Sequence, residues 1–110
     1  MIKVAINGFG EMGNDIFEQL QGAEGYQLRA INFIGDKENF YRFCSLNYPG
    51  IYVFYEPDIS NLPWKALDID CVVDTTNNQL NIKKHIKAGG KHVVMVETEQ
   101  KIKCYRKKGR

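Results

Sequence analysis

The sequence predicts an α/β fold: a single doubly wound parallel sheet of about five strands in the order 3-2-1-4-5. Three observations predict it. An apolar run over residues 2–6 ends in Asn-Gly, as a strand buried on both faces does. Further short runs rich in β-branched and aromatic residues recur down the chain. Between them lie stretches with helical spacing, and strands alternating with helices pair in parallel through right-handed crossovers.

Each element has its own signal. After the first strand, Met12, Ile16 and Leu20 recur every four residues and make one apolar helix face, which Gly22 and Gly25 punctuate. Residues 26–34 alternate and then turn apolar, so they read as the second strand. Asp36 is placed to cap a helix through residue 47, with Phe40, Phe43, Cys44 and Asn47 on one side. Pro49-Gly50 stops it, and residues 51–55 form a third strand. The connection over 56–69 has room for one helical turn. Residues 70–76 read as the fourth strand and 80–88 as a helix that turns Leu80, Ile82 or Lys83, and Ile86 inward. Gly89-Gly90 end that helix before a fifth strand at 91–97.

Length and composition bound the class. One hundred and ten residues suit one domain, and apolar and charged fractions of 44% and 25% are those of an ordinary soluble globular protein. No apolar run approaches the roughly 20 residues of a membrane span. The opening residues read as a strand rather than a signal peptide. Cys44, Cys71 and Cys104 are odd in number and widely spaced, which fits reduced thiols in a cytoplasmic protein. No metal-ligating pattern is present. The net charge of +2 is uneven: residues 101–110 hold six Lys/Arg and no acid, leaving nine basic against thirteen acidic residues before them. The expected division is a domain over 1–99 and a solvated basic tail over 100–110. Tyr105 is the tail's one aromatic, so nucleic acid is not an expected partner.

The motif that carries chemistry is Gly8-Phe9-Gly10-Glu11-Met12-Gly13, a GxGxxG between a predicted strand and a predicted helix. In that context the first glycine permits the tight turn, the second lets a diphosphate approach the backbone, and the third lets the helix lie close on the sheet. This is the dinucleotide-binding, Rossmann-like pattern. Acids stand where an anionic ligand wants donors.

The chain resembles the opening domain of the glyceraldehyde-3-phosphate dehydrogenase family. The stretch over residues 1–13 is similar to that family's Lys-Val-Gly-Ile-Asn-Gly-Phe-Gly-Arg-Ile-Gly start, and residues 28–32 to its second strand. Pro63-Trp64 with the strand ending in Thr75-Thr76, and the segment over 85–95, follow in the family's order. Erythrose-4-phosphate dehydrogenases share these features, and dihydrodipicolinate reductase is a more distant likeness. The resemblance implies a bound NAD or NADP held around Asn7, Gly8, Phe9, Gly10, Glu11, Met12, Gly13, Asn32, Phe33, Thr75, Thr76 and Asn77. It also implies a separate catalytic domain with a Cys nucleophile and a His, whose motif is absent from these residues. No catalytic residue is therefore assigned, and hydride transfer is not expected of this chain alone. His85 and His92 are expected at the surface or in a second layer.

Several positions depart from the family. Its Arg after the second glycine is Glu11, and a further Arg is Asn14. The acid expected to hold the ribose hydroxyls is Phe33, and the Gly after Thr75-Thr76 is Asn77. Glu11 in a first helical turn stabilises the empty helix by about 0.3–1 kcal/mol. Facing a diphosphate ~5–6 Å away, it costs on the order of 1–3 kcal/mol. A lost charged hydrogen bond to the ribose removes roughly 1.5–3 more, so dinucleotide binding is expected to be weakened by about two to four decades, or lost. Lys37 is a candidate to meet a 2′-phosphate. The competing expectation is an interaction protein that pairs with itself or with a partner dehydrogenase through aromatics such as Tyr41, Tyr48, Tyr52, Phe54 and Tyr55.

Overall fold

The computed structural model describes residues 1–98 and 101–106. Strands β1 (Ile2–Asn7), β2 (Tyr26–Asn32), β3 (Tyr52–Phe54), β4 (Cys71–Asp74) and β5 (His92–Thr98) pair in parallel. Their order is β3-β2-β1-β4-β5, as the alternating pattern predicts. A further strand, β6 (Lys101–Arg106), pairs antiparallel with β5 and closes that edge. It lies in the segment read from sequence as tail. Charge and terminal position carried that reading, whereas the pairing comes from the neighbouring strand. The expected domain boundary at 99/100 falls outside the described residues.

Helices α1 (Glu11–Leu20), α2 (Lys37–Leu46) and α3 (Leu80–Ala88) fill the crossovers, and a 3-10 turn at Ile59–Asn61 follows β3. Each sheet face has its own core. On one side Ile6, Phe17, Leu28, Ile31, Phe33 and Phe43 pack together beneath α1 and α2. On the other, Ala5, Ala30 and Val72 meet Ile59, Leu62, Trp64 and Ile69. Alternate residues of one strand therefore serve opposite cores, which is why these strands are apolar throughout.

Helix ends follow their expected chemistry. The Asp36 carboxylate accepts from the Asn39 backbone N–H at 3.0 Å and caps α2. α2 ends at Asn47 in the left-handed region, so Asn47 is a cap and not part of an inward face. Phe43 is buried as the periodicity predicts, but Cys44 is exposed. In α1 the stripe of Met12, Ile16 and Leu20 is half-buried, and Phe17 supplies the buried anchor.

The expected orientation of α3 is wrong. Leu80 is 74% exposed and Ile82 and Ile86 are half-buried, while Asn81 and His85 face inward. His85 is fully buried and not at the surface; His92 is exposed. The helix turns on its polar residues because a carboxylate in the sheet recruits them, and hydrophobic spacing carries no trace of that.

Candidate functional site

Strand order reverses between β1 and β4, and in doubly wound sheets the crevice beyond the strand ends at that point is where ligands bind. A cleft of about 490 Å³ opens there. Its floor is Gly8, Phe9 and Gly10 from the turn after β1, with Thr75 and Thr76 beyond β4. Glu11, Met12 and Asp15 of α1 line one wall, and Ile34 and Asp36 another.

The three glycines of the turn differ in what their surroundings demand. Gly8 has φ +93°, and a Cβ there would lie 2.6 Å from Thr75 Oγ1. A Cβ on Gly13 would lie 2.6 Å from the Gly8 carbonyl oxygen, so α1 can sit this close only without a side chain. A Cβ on Gly10 would meet nothing within 4 Å. Packing explains the first and third glycines; the second faces open space and serves as the N-cap of α1, with φ −100° and ψ −146°.

Beneath the cleft runs a buried polar chain across three strand ends. Asn32 of β2 accepts from the Glu56 backbone N–H at 2.8 Å and donates to the Glu56 carbonyl at 3.0 Å. It also donates to Asn7 Oδ1 at 2.8 Å, and Asn7 donates to Asp74 Oδ2 at 3.0 Å. Asp74 further accepts from the Thr76 backbone N–H at 2.8 Å, from Thr76 Oγ1 at 2.5 Å and from Asn81 at 3.3 Å. His85 Nε2 lies 2.7 Å from Asp74 Oδ2, and Trp64 Nε1 donates to His85 Nδ1 at 3.0 Å. Asn7, Asn32, Asp74 and His85 are wholly inaccessible to solvent.

That geometry fixes the proton on the imidazole. An indole N–H can only donate, so Nδ1 must accept and Nε2 must carry the hydrogen given to Asp74. The pair is therefore a hydrogen bond between a neutral ring and a carboxylate. Burial pushes the Asp74 carboxyl upward, but hydrogen bonds from His85, Thr76 and Asn7 outweigh it and hold the group below the usual carboxylate range. The arrangement reaches the cleft through Thr76. Thr75 adds a bond of its own, from Oγ1 to the Gly8 carbonyl at 2.5 Å.

Of the residues expected around a cofactor, Gly8, Phe9, Gly10, Glu11, Met12, Thr75 and Thr76 line the cleft together. Asn7 and Asn32 lie under it in the buried chain, and Gly13 is buried against Gly8. Phe33 is 2% exposed, packed 5.1 Å from the Phe9 ring and 5.7 Å from that of Phe43. Where a ribose-binding acid stands in the family pattern, this chain has core. Asn77 is exposed in the left-handed region beyond the lining. Lys37 lies over the Tyr55 ring at 5.9 Å and lines none of the cleft. Sequence reasoning missed Asp15, Ile34 and the role of Asp74 with His85. The signal for the last was the Trp64, Asp74 and His85 set in the resembling segments, which composition alone does not single out.

A second cavity of about 330 Å³ adjoins the cleft and shares Phe9, Gly10 and Glu11 with it. It runs between α1 and α2, where Asn14, Asn39 and Arg42 stand over Phe33, Phe43 and Leu46. Among the described residues no group of three or more His, Cys, Asp or Glu could hold a metal ion, and no helix is long and apolar enough to cross a membrane.

No protein-family model matches the chain. It is 31% identical over 120 aligned positions to a glyceraldehyde-3-phosphate dehydrogenase of Thermotoga maritima. The alignment covers 86% of this chain and 36% of that protein, so the chain spans just over a third of the curated relative it matches. Together with the sheet order and the turn after β1, this makes the chain similar, in divergent form, to the N-terminal domain of glyceraldehyde-3-phosphate dehydrogenase.

Proposed function

We propose that this chain is a nucleotide-binding module whose cleft takes an adenine dinucleotide, NAD or NADP, with a weakened grip, and that it transfers no hydride on its own. Gly10 carries the reading. It faces the cleft with open space where a Cβ would stand, so a ligand can approach its backbone closely, although its place as the N-cap of α1 also favours glycine. Glu11, Asp15 and Asp36 around the same cleft supply the weakening, since among the described residues no Lys or Arg lines it to offset them. Among the described residues no Cys or His lies in the cleft lining, and His85 is sealed beneath it.

Calorimetric titration with NAD, NADH, NADP and ADP-ribose to a few millimolar tests this. Saturable binding is expected, tightened about tenfold or more by Glu11→Arg, which removes a repulsion and adds a donor. Silence from every ligand, before and after that substitution, would sink the reading.

A second reading, an interaction module, is supported by the opposite end of the sheet. There Ile2, Val4, Ile16, Leu20, Val73 and Val94 line an open apolar groove of about 600 Å³. Self-association in sedimentation velocity, abolished by Val73→Asp, favours it; a monomer at every concentration counts against it.

A further inference from the structure

The cavity between α1 and α2 has the makings of a phosphate subsite, and this inference rests on the dinucleotide reading above. In doubly wound sites a carboxylate just past the second strand accepts from the ribose 2′-hydroxyl and repels a 2′-phosphate, while an Arg nearby accommodates one. That carboxylate is missing here: Phe33 occupies the position and is buried among Phe9, Phe40 and Phe43. The nearest acid on that side, Asp36, is turned to Asn39 as the cap of α2, Oδ1 accepting from the backbone N–H at 3.0 Å and Oδ2 from the side-chain amide at 2.6 Å; it keeps its charge and lines the adjoining cleft, not this cavity. Beyond it, Arg42 lines the cavity, is exposed, and forms no ion pair among the described residues. Asn14 and Asn39 bring side-chain amides to the same wall, and Asn39 keeps one amide hydrogen unspent. The cavity shares Phe9, Gly10 and Glu11 with the cleft, so the two adjoin at the glycine turn.

We infer that this cavity receives a phosphomonoester on the adenosine ribose, held by Arg42, so that the module prefers a 2′-phosphorylated dinucleotide to its unphosphorylated form. Glu11 borders both cavities and opposes the added phosphate as well as the diphosphate, so the preference is the amount by which the grip of Arg42 exceeds that repulsion. A guanidinium can grip a phosphate with two parallel N–H bonds, and a lysine meets it only as a point charge.

The test titrates the full chain with NADP and NAD, and with adenosine 2′,5′-bisphosphate against 5′-AMP, at fixed low salt. Each 2′-phosphorylated ligand is expected to bind about tenfold or more tightly than its partner. Arg42→Gln is expected to erase that difference while leaving NAD binding and the melting temperature unchanged, and Arg42→Lys to restore part of it. Equal affinities in the wild-type chain, or an Arg42→Gln loss shared by NAD and NADP alike, would overturn the subsite and leave the dinucleotide reading standing. Binding of none of the four would overturn both.

Discussion

At the scale of single residues, the buried carboxylate of Asp74 is the most consequential group in the molecule. It takes hydrogen bonds from the Asn7, Thr76, Asn81 and His85 side chains and from one backbone N–H, so every group aimed at it is a donor. Asp74→Asn keeps the shape but turns an amide N–H₂ toward donors. A loss of about 2–4 kcal/mol in urea unfolding is expected, and a loss under about 0.5 would show the network to be ornamental. The glycines separate structure from binding in the same way. Gly13→Ala forces a Cβ against the Gly8 carbonyl and should cost about 1–3 kcal/mol, whereas Gly10→Ala, at the N-cap of α1 with open space around it, should cost no more than about 1 kcal/mol. If Gly10→Ala leaves nucleotide titrations untouched as well, close approach of a ligand is not what keeps that position bare.

At the scale of elements, the caps and faces of the helices can be tested one by one. Asp36 caps α2, so Asp36→Ala should lower stability by about 1 kcal/mol, read as a shift in urea midpoint. Leu80→Ser, at an exposed position of α3, should change it by less than about 0.5 kcal/mol; a larger loss would mean the helix turns its apolar side inward after all. Much of this level was legible in the sequence. The Asp36 cap, the single helical turn before Pro63 and the bounds of α3 all follow from local chemistry that the chain writes in consecutive residues. The orientation of α3 does not, because Asn81 and His85 point inward to serve Asp74 on another element, and a polar partner across the fold leaves no periodic mark. Likewise the glycine turn announced the cleft, but Arg42 sits in the second turn of α2 with no motif around it; only the packing of α2 on α1 brings it beside Gly10.

At the scale of the whole molecule, carboxylates govern the response to acid. Asp74 is held low as described. A backbone hydrogen bond from Lys3 lowers Asp70, and hydrogen bonds from Lys3 and Lys91 lower the exposed Asp68. A carboxyl held below its unfolded value of about 3.9 adds stability that is present above that pH and is lost as pH falls through the folded-state value. Stability should therefore hold from neutrality to about pH 4 and fall below it, and the fall should be shallower in Asp74→Asn; an unchanged profile would move the cause elsewhere. Asp68 contributes little to this, since surface pairs are screened by solvent. Trp64 offers the way to watch these events. It is the one tryptophan of the chain, it is fully buried, and its N–H ends the chain of hydrogen bonds that begins under the glycine turn. The protein thus carries its own optical reporter: light emitted by that indole shifts to the red when the core opens, and its brightness follows the imidazole to which its N–H is bonded. A ligand that settles on Thr76 disturbs the carboxylate one hydrogen bond away from that imidazole, so occupancy of the cleft becomes visible in unlabelled protein.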